Sequence, residues 1–473
     1  MKKIFKITGV LAVAISILSC TEFLDQQPAS SISDTKAISN YPSAVYALNG
    51  VYDGLQNTYY YGRDYVVYGD CFTDNIIISP NNSNRFIAEG QWSITATTAN
   101  MGYFWSTAYT ALMRANKILA LVDNIDATDV QKAAIKGQCL AIRALVHFDL
   151  VKFFAQTYNG NQTALGVPYI DKVIVYEKPA RETVSAVYTK IIADLTAAIT
   201  NLTTGSALVT GPYFINSWAA KALLAKVYMA QLDYDKALPV LDDIVKNSGY
   251  SPLSAANYVA AWGKDHSSVA KNEFLFSLNF NPTDYGATNC LGYIYLQTGY
   301  GDLRVPVGVV SLFTATDIRK GLFIAGTGTS AGWTFNGKFP GKAGTTALSD
   351  TPVIRLSDVY LMYAEANASK SVYNTAITYL DLIRLRADAT AAITPQTITP
   401  AALLDAIALE RRKELLYEGQ YLFDLKRLKK PINSALRSDN VLYTTIPYPS
   451  LKLAMPIPQA EIDANSNMVQ NQY

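Results

Sequence analysis

Hydrophobic side chains recur every three or four residues along several long stretches of the chain, a spacing that places them on one face of an α-helix. These stretches are residues 43–55, 103–122, 130–154, 184–202, 217–230, 234–247, 356–367, 373–387 and 402–417. Polar residues occupy the positions between them, as expected for helices with one buried face. The pattern predicts a mainly α fold, with a helical scaffold over residues 38–250 and 351–430.

Two pairs of these helices share one spacing of small and aromatic residues. Leu224, Ala225, Tyr234, Ala237, Leu241 and Ile244 recur 139 residues later as Tyr363, Ala364, Tyr373, Ala376, Leu380 and Ile383. Small residues let two antiparallel helices approach closely, as in tetratricopeptide repeats, although the Trp, Leu and Pro marks of that repeat are only partly present. The spacing favours tetratricopeptide-like α/α hairpins, and generic helical hairpins are the alternative.

Two long segments interrupt the helical pattern. Residues 58–102 and 251–350 have little helical periodicity, and the second is rich in Gly, Thr, Asn, Tyr and Pro. Long structured insertions in a helical scaffold usually carry binding residues. Residues 431–473 are expected to form an extended, proline-containing tail. We therefore expect one domain over residues 20–473, with two irregular ligand-binding insertions.

The first 19 residues have the features of an export signal. Three lysines precede a largely apolar run at residues 7–18, which is too short to anchor the chain across a bilayer. The run ends in Ile-Leu-Ser-Cys, which resembles the lipobox of bacterial lipoproteins, where the signal is removed before a lipid-bearing cysteine. Cys20 is thus the expected lipid-attachment residue, and an ordinary cleavage site is the alternative.

Composition excludes several functional classes. The chain has 40 basic and 38 acidic residues, and three of the lysines belong to the signal, so the body has no basic excess for a nucleic-acid partner. Cys71, Cys139 and Cys290 form an odd set without CxxC spacing, so we expect buried apolar residues rather than disulfides or a zinc site. His147 lies in a helical stretch and is interpreted as a core histidine.

A Gly-rich segment at residues 326–338 resembles three catalytic motifs, but in each case a residue or helix that the motif requires is missing. Ser330 lies in a G-x-S-x-G pattern, but both histidines of the chain precede it, whereas that hydrolase motif requires a later one. Residues 333–340 lack the helix that a dinucleotide-binding motif requires, and Phe339 stands where a phosphate-binding loop has a hydroxyl. No catalytic residue, metal or cofactor is therefore expected.

The helix at residues 402–417 ends in a dense run of charged residues. Glu410, Glu414 and Glu418 lie four residues apart on one face, which is compatible with acid–base chemistry. The basic residues between them favour a structural ion-pair network instead. This network is also placed to form a partly buried clasp to residues 424–427.

The same charged run resembles the closing motif of the SusD/RagB family, lipoproteins that feed outer-membrane sugar transporters. Similar segments follow in family order along the chain, namely Phe23-Leu24-Asp25 after Cys20, Trp105 with Ala115-Asn116, Ala141-Ile142-Arg143-Ala144, Arg181-Glu182-Thr183, Pro352-Val353-Ile354-Arg355 and Gln470-Asn471 with Tyr473. Tyr421 and Leu428 depart from the motif, because the family usually has Arg and Trp there.

The resemblance implies tetratricopeptide-like helices that cradle a SusC-like TonB-dependent transporter, while the irregular side captures an oligosaccharide. It also implies a lipid anchor in the outer membrane, with the protein facing the cell exterior, and binding without bond cleavage. A peptide-binding member of the family and a scaffold without its own ligand are alternatives. A hydrolase is a further one.

Sugars present flat C–H faces beside hydroxyl groups, so a glycan site needs aromatic platforms together with amide, carboxylate or Arg side chains. Tyrosine supplies both from one side chain, and the chain has 32 Tyr against 17 Phe. The candidate ligand-binding residues are Asp74, Asn75, Arg85 and Trp92 in the first insertion and Tyr285, Asn289, Tyr293, Tyr295, Tyr300 and Trp333 in the second. Packing of each side chain on its own scaffold is the alternative.

Overall fold

The structure is a computed structural model that describes residues 37–268 and 273–473. Cys20 and the expected signal lie outside the described residues. The helices are α1 (Tyr41–Gln56), α2 (Asp64–Cys71), α3 (Ile87–Gly90), α4 (Ala99–Leu121), α5 (Asp129–Phe154), α6 (Val184–Thr204), α7 (Ser217–Gln231), α8 (Tyr234–Asn247), α9 (Ala255–Ala261), α10 (Leu291–Tyr295), α11 (Val307–Val310), α12 (Leu356–Ser369), α13 (Tyr373–Ala387), α14 (Pro400–Glu414), α15 (Tyr421–Arg427) and α16 (Gln459–Ala464).

The strands are short and pair in antiparallel twos. They are β1 (Ile77–Ile78), β2 (Phe274–Leu278), β3 (Leu303–Arg304), β4 (Phe323–Ala325), β5 (Thr334–Asn336), β6 (Gly341–Lys342), β7 (Thr345–Thr346), β8 (Thr351–Arg355), β9 (Ile432–Asn433) and β10 (Thr445–Ile446). The pairs are β1 with β3, β2 with β8, β4 with β5, β6 with β7 and β9 with β10. The mainly α fold expected from the hydrophobic pattern is confirmed, and no helix in the described ranges is long and apolar enough to cross a membrane.

The repeated spacing corresponds to two helical hairpins, α7 with α8 and α12 with α13. Ala237, Leu241 and Ile244 are fully buried, as are their counterparts on α13. The two hairpins contact each other: the Tyr363 hydroxyl of α12 donates a hydrogen bond to Asp242 of α8 at 2.7 Å. The small and aromatic positions therefore mark the contact surfaces of the scaffold.

The first insertion is more helical than the sequence indicates. All eight residues of α2 are buried, so this helix has no polar face and no hydrophobic periodicity to reveal it. The second insertion contains the short helices α9, α10 and α11 as well as β2 to β7, and the tail contains α16. These segments therefore contain short helices and strands between their irregular stretches.

Buried histidine and cysteine side chains occupy the core, as the sequence predicts. His147 is fully buried, and its Nε2 accepts a hydrogen bond from the Ile170 amide at 2.9 Å while its Nδ1 lies 2.9 Å from the Arg143 carbonyl. Burial lowers the pKa of His147 to about 3, so the ring is neutral and Nδ1 carries the proton. The cysteines are likewise buried and unpaired, namely Cys71, Cys139 and Cys290.

A buried ion-pair network ties the second insertion to α14. Arg355, at the end of β8, is 1% exposed, and its guanidinium lies 2.7 Å from the carboxylate of Glu418 and 3.1 Å from that of Glu414. It also contacts Glu273, which immediately precedes β2. Because β2 lies within the insertion and pairs with β8, which begins directly after it, the network fixes the base of this insertion. Lys338 adds a contact from within it, 2.6 Å from Glu418.

A second part of the network joins α14 to α15, as the clasp hypothesis requires. Arg411 lies 2.7 Å from Asp358 and 3.2 Å from Asp424. Arg427 lies 2.8 Å from Asp424 and also pairs with Glu365. The charged run therefore forms a structural ion-pair network, as its interleaved charges indicate. Helix α14 ends at Glu414, so Glu418 joins the network from the turn after the helix.

Close packing of α2 against the turn after α14 gives a first testable prediction. A Cβ atom on Gly69 would lie 2.2 Å from the backbone carbonyl carbon of Gly419, which itself has a φ of +77°. Gly69→Ala is expected to lower the free energy of unfolding by about 1–3 kcal/mol or more, because backbone must move. Urea denaturation measures the change.

Gly50→Ala is the matched control for this substitution. Gly50 lies within α1, and a Cβ atom there would have nothing within 4 Å. The control is expected to be neutral or to stabilise the protein by up to about 1 kcal/mol, because alanine favours the helix. Equal effects of the two substitutions would contradict the close packing of α2.

Candidate functional site

The two insertions meet at a surface that contains several of the predicted ligand-binding residues. Arg85 of the first insertion lies over the ring of Tyr300 of the second, with 3.8 Å between the guanidinium carbon and the ring centroid. The rings of Tyr293 and Tyr300 are 5.0 Å apart and nearly perpendicular. All three side chains are partly exposed. We call Arg85, Tyr293 and Tyr300 the Tyr300 cluster.

A buried aspartate positions the loop that carries Arg85. Both carboxylate oxygens of Asp302 accept hydrogen bonds from Ser83, one from the amide at 2.8 Å and one from the hydroxyl. The Asp302 carbonyl accepts another from the Ser79 amide at 2.8 Å. Arg85 bonds to the Ser83 hydroxyl and lies 3.8 Å from Asp302. The guanidinium is thereby held over Tyr300 before any ligand is present.

A second aromatic group adjoins the Tyr300 cluster. The guanidinium of Arg304 lies 4.5 Å from the ring centroid of Trp333 and 5.5 Å from that of Phe335. Trp333 is partly exposed, whereas Arg304 is only 4% exposed. We call Arg304, Trp333 and Phe335 the Trp333 stack. The two groups are neighbours because the Phe335 ring packs on the backbone at Gly301, next to Tyr300.

The Trp333 stack is held by the β4–β5 hairpin. The Gly326 amide donates a hydrogen bond to the Trp333 carbonyl at 2.8 Å. The side chain of Gln297 joins the hairpin to the segment between Tyr293 and Tyr300, because it bonds to the amide of Thr327 at 2.9 Å and to its carbonyl at 2.8 Å. One short segment therefore supports both aromatic groups.

Asp74 and Asn75 contact the charged helix α14 and do not form part of an open surface. The Asp74 carboxylate lies 2.8 Å from Arg412 of α14. Asn75 is fully buried, where its side chain accepts a hydrogen bond from Arg412 at 2.8 Å and donates one to Asp70 at 2.7 Å. The prediction of ligand contact is therefore wrong for Asn75, because its polar atoms are enclosed and engaged.

Trp92 and Tyr295 are also core residues. Trp92 is 1% exposed, and its indole N–H donates a hydrogen bond to the Phe72 carbonyl at 2.8 Å. Tyr295 is fully buried and packs 5.3 Å from the ring of Tyr417. The prediction of a ligand contact is wrong for both, since neither ring presents a face to solvent.

Tyr285 and Asn289 lie at the margin of the second insertion. Tyr285 is partly exposed and packs with Tyr293 against a small apolar cluster around Cys290. Asn289 is exposed, and its side-chain oxygen accepts a hydrogen bond from Arg63 at 3.3 Å. Both are accessible, so they stay in the candidate set as proposals.

Arg304 and Gln297 belong to the site but are absent from the sequence-based set. No sequence pattern identifies Gln297, because its role depends on where the β4–β5 hairpin lies in the folded chain. Arg304 gives a weak one, since it is the only charge in the apolar stretch Leu-Arg-Val-Pro-Val-Gly-Val-Val of residues 303–310. A charged residue within an apolar stretch is expected to be buried, and a buried charge requires a specific interaction to compensate for the loss of water.

Other concave surfaces offer alternative positions for a ligand. A cavity of about 290 Å³ is lined by Trp218, Tyr250 and Asn216 among others. A groove of about 420 Å³ between α1 and α4 is lined by polar side chains such as Asp53 and Thr107, with no aromatic ring among its described lining residues. Within residues 37–268 and 273–473, no group of three or more His, Cys, Asp or Glu side chains is arranged to hold a metal ion.

Two family models match different parts of the chain. Residues 325–473 match the model described as the SusD family. Residues 22–229 match a model described as starch-binding and associating with the outer membrane. A SusD-like protein of Formosa agariphila is 23% identical, covering 100% of this chain and 99% of its own. A SusD-like protein of Bacteroides ovatus is 24% identical, covering 89% and 82%.

Solved structures show the same fold. A SusD superfamily protein from Bacteroides thetaiotaomicron has a TM-score of 0.83 at 29% identity, covering 92% of this chain and 100% of its own. A putative sugar-binding protein from Bacteroides vulgatus has a TM-score of 0.82 at 29% identity, covering 92% and 99%. A laminarin-binding SusD-like protein has a TM-score of 0.73 at 23% identity, covering 92% and 99%.

Proposed function

Because the chain belongs to the SusD/RagB family, we propose that it binds oligosaccharides outside the cell and delivers them to a SusC-like TonB-dependent transporter. The observation that carries the binding part is the meeting of the Tyr300 cluster and the Trp333 stack on one surface. The partly exposed rings of Tyr293, Tyr300 and Trp333 offer apolar surface for sugar C–H groups, while tyrosine hydroxyls and the Arg85 guanidinium offer hydrogen bonds to sugar hydroxyls. This combination matches the chemistry of a glycan.

We propose binding without bond cleavage at this site. A glycoside hydrolase generally needs two carboxyl groups on either side of the scissile bond. The Tyr300 cluster and the Trp333 stack contain no carboxylate, and the neighbouring Asp302 is fully buried, with both oxygens bonded to Ser83. These features support the proposal that the site holds a sugar without cleaving it.

The location and the partner rest on family membership and on the start of the sequence. The matched model over residues 22–229 is described as associating with the outer membrane. We propose that lipid on Cys20 supplies this attachment and that the protein faces the cell exterior. The tether would keep the binding surface beside its transporter while ligand is captured and released.

Calorimetry with the purified protein tests the binding function. Titration with a mixture of oligosaccharides is expected to release binding heat, which an equal concentration of a peptide mixture does not reproduce. A peptide mixture that binds and displaces the sugar would favour the peptide-binding alternative. Absence of heat from both mixtures would favour a scaffold without a ligand, and liberation of new reducing ends would indicate a hydrolase.

A further inference from the structure

Arg304 is an unusual arginine in this fold, because it is buried without a hydrogen-bonding partner among residues 37–268 and 273–473. Within the described part of the chain its side chain forms no ion pair, and its Nε and Nη1 atoms are enclosed with no acceptor. By contrast, the buried Arg143 lies 2.6 Å from Asp194, and the buried Arg319 lies 2.8 Å from Asp317. Leaving a buried cation unpaired costs free energy, so its retention calls for a functional explanation.

The surroundings of Arg304 leave one direction for a partner. Trp333 and Phe335 occupy positions over the guanidinium, so hydrogen-bond donation is left to its N–H edge. The carboxylate of Asp302 accepts its hydrogen bonds from Ser83 and forms no hydrogen bond or ion pair with Arg304. Burial lowers the pKa of Arg304 and Asp302 raises it, and a guanidinium stays charged at neutral pH.

We propose that the oligosaccharide bound here carries an anionic group, a carboxylate or a sulfate ester, which pairs with the N–H edge of Arg304. This inference rests on the proposed oligosaccharide-binding function. A planar guanidinium matches the oxygen atoms of either anion through two parallel hydrogen bonds. Trp333 would stack on the sugar ring that bears the anion, and Arg85 adds a second positive charge on the same surface.

Access to Arg304 requires a local movement. Trp333, whose ring centroid lies 4.5 Å from the Arg304 guanidinium, directly follows the tip of the β4–β5 hairpin, so movement of that tip away from the segment that carries Gln297 would open the enclosed Nε and Nη1 atoms to an anion. Gln297 connects that tip to the neighbouring segment through hydrogen bonds with the carbonyl, amide and hydroxyl groups of the single residue Thr327. Gly328 and Gly332 lie in the tip, and added Cβ atoms there would meet nothing within 4 Å. The tip therefore has room to shift.

Paired probes test the charge preference. One pair is an oligogalacturonate and its methyl ester, and the other is a sulfated oligosaccharide and its desulfated form. Calorimetry on the full-length mature protein is expected to show about tenfold or more tighter binding of the charged member of at least one pair. The pair that responds distinguishes carboxylate from sulfate. Arg304→Gln should remove most of this preference while changing the affinity for the neutral member little.

Two further variants make the test specific. Arg437→Gln removes the same charge from an exposed pair with Asp439 and should leave the preference intact. Arg304→Lys keeps the charge without the planar fork and should retain an intermediate preference, which serves if the glutamine variant fails to fold. Equal binding of charged and neutral sugars, or a preference that survives in Arg304→Gln, would overturn the inference. Binding of no sugar at all would overturn the proposed function itself.

Discussion

Replacing Arg355 with methionine is expected to lower the free energy of unfolding by about 3–5 kcal/mol, because it leaves buried carboxylates without their cation. Arg355 contacts Glu273, Glu414 and Glu418, and all of these side chains are at most 6% exposed. Methionine has a similar volume and no charge, so the loss reflects electrostatics more than a cavity. Urea denaturation at neutral pH gives the value.

Arg437→Met is the control for this substitution. Arg437 pairs with Asp439 on the surface, where both side chains are about half exposed. Exposed pairs contribute about 0–1 kcal/mol, so this variant should unfold close to the wild type. A loss below about 1 kcal/mol in Arg355→Met would contradict the role given to the network.

The same network predicts a pH dependence. Burial alone would raise the pKa of Glu414, but Arg386, Arg355 and Arg319 outweigh it and hold that pKa well below its ordinary value of 4.5. A carboxyl group with a lowered pKa stabilises the fold above its unfolded pKa, and this contribution is lost as pH falls through the folded value. The wild type should therefore lose stability as pH falls below about 4.5, and Arg355→Met should lose less over that range.

Trp333→Ala is expected to weaken oligosaccharide binding about 30-fold, corresponding to about 2 kcal/mol for the loss of an aromatic platform at the centre of a site. Trp333 is partly exposed at the end of a hairpin, so the unfolding transition should change much less than the affinity. Calorimetric titration with an oligosaccharide that binds the wild type, paired with thermal unfolding, separates the two effects.

Trp218→Ala is the matched control. Trp218 is also partly exposed, and it lines the separate cavity near Tyr250. Its removal should leave the affinity near that of the wild type. A larger loss of binding in Trp218→Ala than in Trp333→Ala would move the site from the Trp333 stack to that cavity.

Helices with one buried face are accessible to sequence reasoning, whereas fully buried helices are not. The spacing of Ala237, Leu241 and Ile244 revealed α8, because polar residues separate these buried positions. It could not reveal α2, in which all eight residues are buried. The helix expected over residues 402–417 instead ends at Glu414, and Tyr417 has a φ of +65°, which helical periodicity does not report.

The candidate site was harder to predict because burial depends on distant parts of the chain. Trp92 and Trp333 both lie in insertions next to polar residues, yet only Trp333 is accessible, because α2 and its neighbours enclose Trp92. The Asn75 side chain accepts a hydrogen bond from Arg412, which is 337 residues away in the sequence. The pairing of Arg85 with Tyr300 likewise joins two insertions, so composition could suggest both residues but not their contact.

Scaffold and site are connected through the base of the second insertion. Glu273 precedes β2 and Arg355 ends β8; the two side chains pair with each other, and Arg355 also pairs with Glu414 of α14. Tyr300 and Trp333 lie in the chain between these two points. We propose that the buried network gives this insertion a rigid base, so that its aromatic side chains are positioned before ligand arrives and less entropy is lost on binding.

A crystal structure of the protein with a bound oligosaccharide tests the central claim most directly. We predict electron density for a sugar ring stacked on Trp333 or Tyr300, with a hydrogen bond from Arg85 or Arg304. Density in the cavity beside Trp218, or in the polar groove between α1 and α4, with the Tyr300 cluster unoccupied, would contradict it.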